Sequence, residues 1–152
     1  MQTIRTILHP TDFSRHAEQA LDVACAIARA HGARLLILHV APSNEPVTHS
    51  GKARGLEPPD VMKTELKSYQ LEMEKKLKAV RVPDEKVPVE RLLKDGAVGK
   101  VIVQTAELTP CDLVVMGTRG QSAPSRALLG SVAEEVSRKA SCPVVTVQLP
   151  ER

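Results

Sequence analysis

The chain has no tryptophan, and its only other aromatic rings beyond histidine are Phe13 and Tyr69. This scarcity removes the stacking platforms on which surfaces for single-stranded nucleic acid and RNA depend. The core must be built from Val, Ile, Leu, Ala and Met. An excess of charge of one sign is missing too. The 21 Lys and Arg against 18 Asp and Glu leave a formal +3, and the basic residues are spread among acids rather than massed in a block, so a nucleic-acid partner has no support. No segment approaches the ~18 apolar residues of a membrane span. Met1 leads within a few residues into a short apolar run rather than a signal-peptide core, and a cytoplasmic protein with no membrane partner is expected. Three cysteines, Cys25, Cys111 and Cys142, are odd in number, widely spaced and without a Cys-x-x-Cys. They suit a reduced compartment, each as a small buried apolar residue.

What is present fits one domain. A chain of 152 residues with 42% apolar content can bury roughly 68–70% of its unfolded surface. Short apolar runs alternate with longer stretches of helical spacing. Ile4 to Leu8 reads as a first strand ended by His9-Pro10; from Ser14, Ala17, Ala20, Leu21, Ala24, Ile27 and Ala28 recur at threes and fours, and Gly32 is placed to stop that helix. Arg34 to Val40 reads as a second strand. Residues 41–60 hold Pro42, Pro46, Gly51, Gly55, Pro58 and Pro59 among polar residues, which predicts a long mobile loop. Met62, Leu66, Tyr69, Met73, Leu77 and Val80 return to helical spacing, and Val87 to Leu93 reads as a third strand, with Pro88 pointing to a sheet edge. Gly96 opens a turn into a helix carrying Val98, Val101, Ile102 and Thr105. Leu113 to Met116 is a continuously apolar fourth strand, a helix starts at Ser131, and Val144 to Val147 is a fifth strand. Five strands alternating with four helices indicate a parallel α/β sheet with right-handed crossovers.

In open α/β sheets ligands gather at the carboxyl ends of strands, where the strand order reverses. Two polar clusters fall at such ends: Pro10-Thr11-Asp12, and the run from Gly117 that passes through Gly120 to Gly130-Ser131. Glycines allow close backbone approach, and a helix starting at Gly130-Ser131 aims unpaired N–H groups and about half a positive charge forward. That is an anion cradle, most simply for phosphate. Established nucleotide signatures are absent. There is no Gly-x-Gly-x-x-Gly, and Gly99-Lys100 is no P-loop, since Lys94 stands where the first glycine belongs and Val101 follows the lysine.

The spacing Gly117-x2-Gly120-x9-Gly130-Ser131, with Asp12 in Pro10-Thr11-Asp12-Phe13-Ser14, resembles the ATP-binding branch of the universal stress protein family. Leu38-His39-Val40, Gly96 and Leu128-Leu129-Gly130-Ser131-Val132 extend the similarity over essentially the whole chain. The resemblance implies an open five-stranded parallel sheet in the order 3-2-1-4-5, with helices on both faces, in the Rossmann-like manner of the adenine nucleotide alpha hydrolases. It implies a homodimer, and ATP, with or without Mg, between strands 1 and 4. By the same likeness Pro10, Thr11 and Asp12 border the adenosine, Val40 meets adenine through its backbone, and Met116 and Gly117 flank the nucleotide. Gly120, Gly130, Ser131 and Val132 hold phosphates. One departure is Ala123-Pro124, where similar proteins often have glycine; it stiffens φ and removes an N–H donor.

Structural readings stand beside these. Asp12 has the character of a turn residue satisfied by backbone N–H groups, Ser131 with Glu134 matches a capping box, and Arg119 and Arg126 read as solvated surface residues. His9 and His39 lie at strand ends but make a poor metal site without a third ligand in motif spacing. The expected function is that of a regulatory protein in which nucleotide occupancy biases conformation or dimer state. A slow ATPase or nucleotidyl-transfer enzyme is the alternative, although no acid–base set is visible. A receiver-type phospho-acceptor domain would use Asp12, Asp95 and Thr118, but lacks paired acids after strand 1 and a lysine after strand 5. The β-branched run Val144 to Val147 is expected to pair across a twofold axis.

Overall fold

In the computed structural model, which describes residues 3–42, 60–118 and 129–149, strand β1 (Thr6–Pro10) is buried at every position. A strand reaches that state only inside a sheet covered on both faces. Around it the chain runs α1 (Arg15–His31), β2 (Arg34–Pro42), α2 (Asp60–Ala79), β3 (Val89–Gly96), α3 (Val98–Leu108), β4 (Leu113–Gly117), α4 (Ser131–Lys139) and β5 (Val144–Val147). The five strands are parallel in the order β3-β2-β1-β4-β5, as the resemblance implied.

Alternate residues of the central strands feed two separate cores, because successive strand side chains point to opposite faces. On one face Ile7, Leu35, Ile37, Leu113 and Val115 pack under α1, which contributes Ala20, Leu21, Ala24, Cys25 and Ala28, and α2 adds Leu77. On the other, Leu8, Leu36, Leu38, Val114 and Met116 meet Ile102 and Ala106 of α3 and Ala133 and Val136 of α4. Each fully buried aliphatic side chain contributes about 1.5–3 kcal/mol. The alanines of α1 keep the helix close to the strands, which fixes the height of the loop preceding it.

Several boundaries move from expectation. β1 begins and ends two residues later than Ile4–Leu8. The Asp112 carboxylate accepts from the N–H groups of Arg5 and Thr6 at 2.9 and 3.1 Å, and Pro10 completes the strand opposite Leu38, with Thr11 N–H donating to Leu38 O at 2.8 Å. β3 starts after Pro88, whose carbonyl accepts from Leu35 N–H, and continues to Gly96 at φ +133°, so that glycine ends the strand itself. β3 is an edge strand, as Pro88 suggested. β2 runs on through Ala41 and Pro42, opposite Asp95 and Gly96, and α2 starts at Asp60. The remainder of the expected loop, residues 43–59, lies outside the described residues. Among the described residues no helix is long and apolar enough to cross a membrane.

α1 shows how local chemistry sets an element's ends. Ser14 Oγ accepts from Ala17 N–H at 3.2 Å, and Gly32 closes the helix at φ +65° with its N–H on Ala28 O. A Cβ at Gly32 would meet nothing within 4 Å, so the only cost of adding one is the left-handed backbone. Gly32→Ala is therefore expected to lower stability by about 1 kcal/mol, and Gly32→Asn by less. Urea unfolding with unchanged m-values checks both.

Candidate functional site

The order reverses between β1 and β4. From β1 the chain turns to α1 on one face and from β4 to α4 on the other, which leaves a crevice at the carboxyl ends of the two strands. Pro10-Thr11-Asp12 and the two described ends of the second cluster, Gly117-Thr118 and Gly130-Ser131, stand there.

On the β1 side, residues 11–14 form a loop tied by its own side chains. Thr11 Oγ1 accepts from Phe13 N–H at 3.0 Å, Asp12 Oδ1 accepts from Ser14 N–H at 2.9 Å, and Ser14 in turn caps α1. Asp12 thus makes the Asx-type turn its local sequence allowed, while remaining half-buried at the crevice. Phe13 takes φ +65°, a strained conformation for a residue with a Cβ and of the kind that gathers at functional sites. It is held there by its ring, 4.4 Å from that of His39. His39 Nδ1 lies 2.7 Å from Thr11 O. Because a carbonyl only accepts, the proton sits on Nδ1, and His39 is a buried, hydrogen-bonded residue. Pro10 is buried at the strand end, and Val40 lies two residues beyond Leu38, where the pairing of β1 with β2 stops.

On the β4 side, Met116 is buried and Gly117 ends the strand opposite Val147. A Cβ on Gly117 would sit 3.0 Å from His16 Cβ and 3.1 Å from the His16 carbonyl carbon. This glycine lets α1 press against β4, a role that needs no ligand. Thr118 N–H donates to Val147 O at 3.0 Å, and Thr118 O accepts from Gly130 N–H at 2.6 Å. That second bond brings the far end of the glycine run back to β4. Gly120, Arg119, Arg126 and the Ala123-Pro124 pair lie outside the described residues.

The capping box does not form. Gly130 is the N-cap of α4, Ser131 is its first helical residue and makes no cap bond, and Glu134 reaches Arg138 at 3.8 Å. The extended backbone of Gly130 (φ −63°, ψ 154°) occupies the position that Ser131 would need. The N–H groups of Ser131, Val132 and Ala133 precede the first intrahelical bond, that of Glu134 to Gly130 O, so they are the helix's outward donors.

Residues absent from the sequence-based set also surround this end of the sheet. Nε2 of His9 and His39, Nδ1 of His16 and Oγ1 of Thr118 are buried side-chain atoms without a hydrogen-bond partner among the described residues. They sit at the ends of β1 and β2, at the start of α1 and just after β4. Buried polar atoms are costly without hydrogen bonds. Only the strand-end placement of the histidines could have flagged them. His9 is 1% exposed, with Nδ1 3.0 Å from Val115 O. Burial lowers its imidazole to about 4, against the opposing effects of the Val115 bond and the Asp12 charge. No group of three or more metal-ligating residues occurs among the described residues. The strand order also separates Asp95 from Asp12 by the whole of β2, roughly 10 Å across two strand spacings, which dismantles the phospho-acceptor arrangement.

Two outcomes are expected without any ligand. Gly117→Ala should cost about 1–3 kcal/mol, seen in urea unfolding, because His16 backbone must move. His9 binds its proton more weakly folded than unfolded, so its contribution is intact above pH 6.5 and is lost as pH falls toward 4. Wild-type stability should therefore drop more steeply across that window than that of His9→Gln, by at most about 1.4 kcal/mol per pH unit.

A family model described as "Universal stress protein family" matches residues 3–148. A universal stress protein of Thermus aquaticus is 38% identical over 149 residues, covering 95% of this chain and 98% of that one. Among solved structures, Methanocaldococcus jannaschii MJ0577 superposes with a TM-score of 0.74 at 26% identity, covering 99% of this chain and all of that one. A universal stress protein in complex with cAMP superposes at 0.62 with 25% identity, covering 98% of this chain and all of that one.

Proposed function

The chain belongs to the universal stress protein family, and we propose that it binds an adenine nucleotide, ATP in the first instance, in the crevice between β1 and β4, with occupancy biasing its conformation or dimer state. The observation that carries this reading is the bond from Gly130 N–H to Thr118 O. It holds the N-terminus of α4 at the end of β4, across the crevice from the Thr11–Ser14 loop. An anionic group placed before α4 meets the N–H donors of Ser131 and Val132 together with the positive end of the helix dipole. Asp12 then faces the adenosine, the backbone of Val40 approaches adenine, and Pro10, Thr11, Met116 and Gly117 line the walls. Gly120 completes the phosphate side. The buried Oγ1 of Thr118 and Nδ1 of His16 are polar groups that such a ligand, or water carried with it, satisfies. The relative solved with cAMP supports the ligand class rather than the phosphate number.

Thermal unfolding with ATP, AMP and cAMP, each with and without Mg, tests the reading. Ligand at about 100 times its dissociation constant stabilises by ~2.7 kcal/mol, and the shift should vanish in Gly130→Val and shrink in Asp12→Ala. A larger shift with ATP than with AMP assigns the outer phosphates to α4. No shift with any of the three would sink the proposal.

Assembly follows from the sheet edge. β5 is an edge strand whose Val144, Val145 and Val147 are only half-buried, and an apolar, β-branched edge favours pairing with a second copy. A homodimer through β5 is the proposal. Sedimentation should give twice the chain mass at micromolar concentration, and a monomer at every concentration would contradict it.

A further inference from the structure

We propose that Cys111 and Cys142 are a thiol pair that an organic hydroperoxide converts to an intramolecular disulfide. Both line one cavity of about 300 Å³ together with Ile4, Asp112 and Ser141. This cavity lies at the amino-terminal ends of β1, β4 and β5, opposite the crevice, so the proposal does not rest on nucleotide binding.

The pairing of β4 with β5 places the two residues together. Val114 stands opposite Val144, and Val114 N–H donates to Pro143 O at 3.0 Å. Cys111 and Cys142 each lie two residues before the strand that follows them, β4 from Leu113 and β5 from Val144. An extended continuation of the register sets Cys142 level with Asp112, the chain neighbour of Cys111, and puts roughly 6 Å between the cysteine Cα atoms, inside the span of about 4.4–6.8 Å that a disulfide covers. Both side chains pack into the core on the α3 and α4 face. Cys25 belongs to the core on the opposite face, and the sheet separates it from the pair.

The thiols are protected at rest. Cys111 is buried and its Sγ–H donates to Thr109 O at 3.0 Å. Burial first, then the charge of Cys142, push it up to about 11, and burial also raises Cys142. Cys142, the more exposed of the two, meets the oxidant. Its thiolate attacks the outer oxygen of the hydroperoxide, the O–O bond breaks, and the alcohol leaves with a proton, giving a sulfenic acid. The Cys111 sulfur then attacks that sulfur; the S–S bond forms, the S–O bond breaks, and hydroxide departs with the Cys111 proton as water. Two thiols are oxidised, and one hydroperoxide is reduced to alcohol and water. The bridge closes residues 111–142 into a covalent loop that contains β4, the glycine run and α4.

The test treats the native full-length protein with tert-butyl hydroperoxide at pH 8.5, then alkylates and digests it with trypsin. The expected product joins peptides 101–119 and 140–152, two hydrogens lighter than their sum. It should form faster at pH 8.5 than at pH 7, be absent from Cys111→Ser and Cys142→Ser, and raise Tm by roughly 5–10 °C until reductant is added. Overoxidation of single cysteines, a cross-link between two chains, persistence of free thiols, or a bridge that lowers Tm would each overturn the proposal.

Discussion

Burial of β1, β2 and β4 on both faces is the constraint from which the rest of the molecule follows. Ile7, Leu8, Leu35, Leu36, Ile37, Leu38, Val114 and Val115 are all inaccessible to solvent, and no single layer of helices covers such strands. Helices must lie on both sides, and a right-handed crossover reaches the second side only if the chain reverses its direction of progress across the sheet. That reversal falls between β1 and β4. The crevice is thus a by-product of covering the core, and the polar residues were placed where covering was impossible.

The fold was legible because the sheet is so apolar. Leu113 to Met116 and Leu35 to Leu38 are unbroken runs, and α1 has its apolar spacing, its Ser14 cap and its Gly32 stop in plain view. The errors came where a long-range partner overrode a local signal. Asp112, more than a hundred residues away, satisfies the start of β1, and the strand shifts to take in His9-Pro10. Ser131-x-x-Glu134 is a sound capping box in one dimension, but the bond from Gly130 to Thr118 draws the glycine into the cap position instead. The family and the strand order came from resemblance, since alternation alone leaves the order open.

The candidate site was legible in its glycines and acid, and hidden in its supports. Nothing in the composition of Pro10-Thr11-Asp12-Phe13-Ser14 announces that a phenylalanine will take a left-handed backbone. The conformation exists because the Thr11 and Asp12 side chains each bond a backbone N–H two residues on, and because His39 receives the ring. Similarly, Gly117 reads as a ligand-facing glycine, yet His16 alone is reason enough for it. The same residue serves packing and access, and sequence has no means of weighing the two.

The bond between Thr118 and Gly130 also joins two backbone positions twelve residues apart in the chain. The residue that follows β4 thereby holds the N-cap of α4, and its own N–H is held by Val147 O of β5. Two strands and a helix start thus share one mechanical junction at Thr118. A displacement of α4 along its axis is passed to the edge strand through the backbone of a single residue, without any side chain taking part.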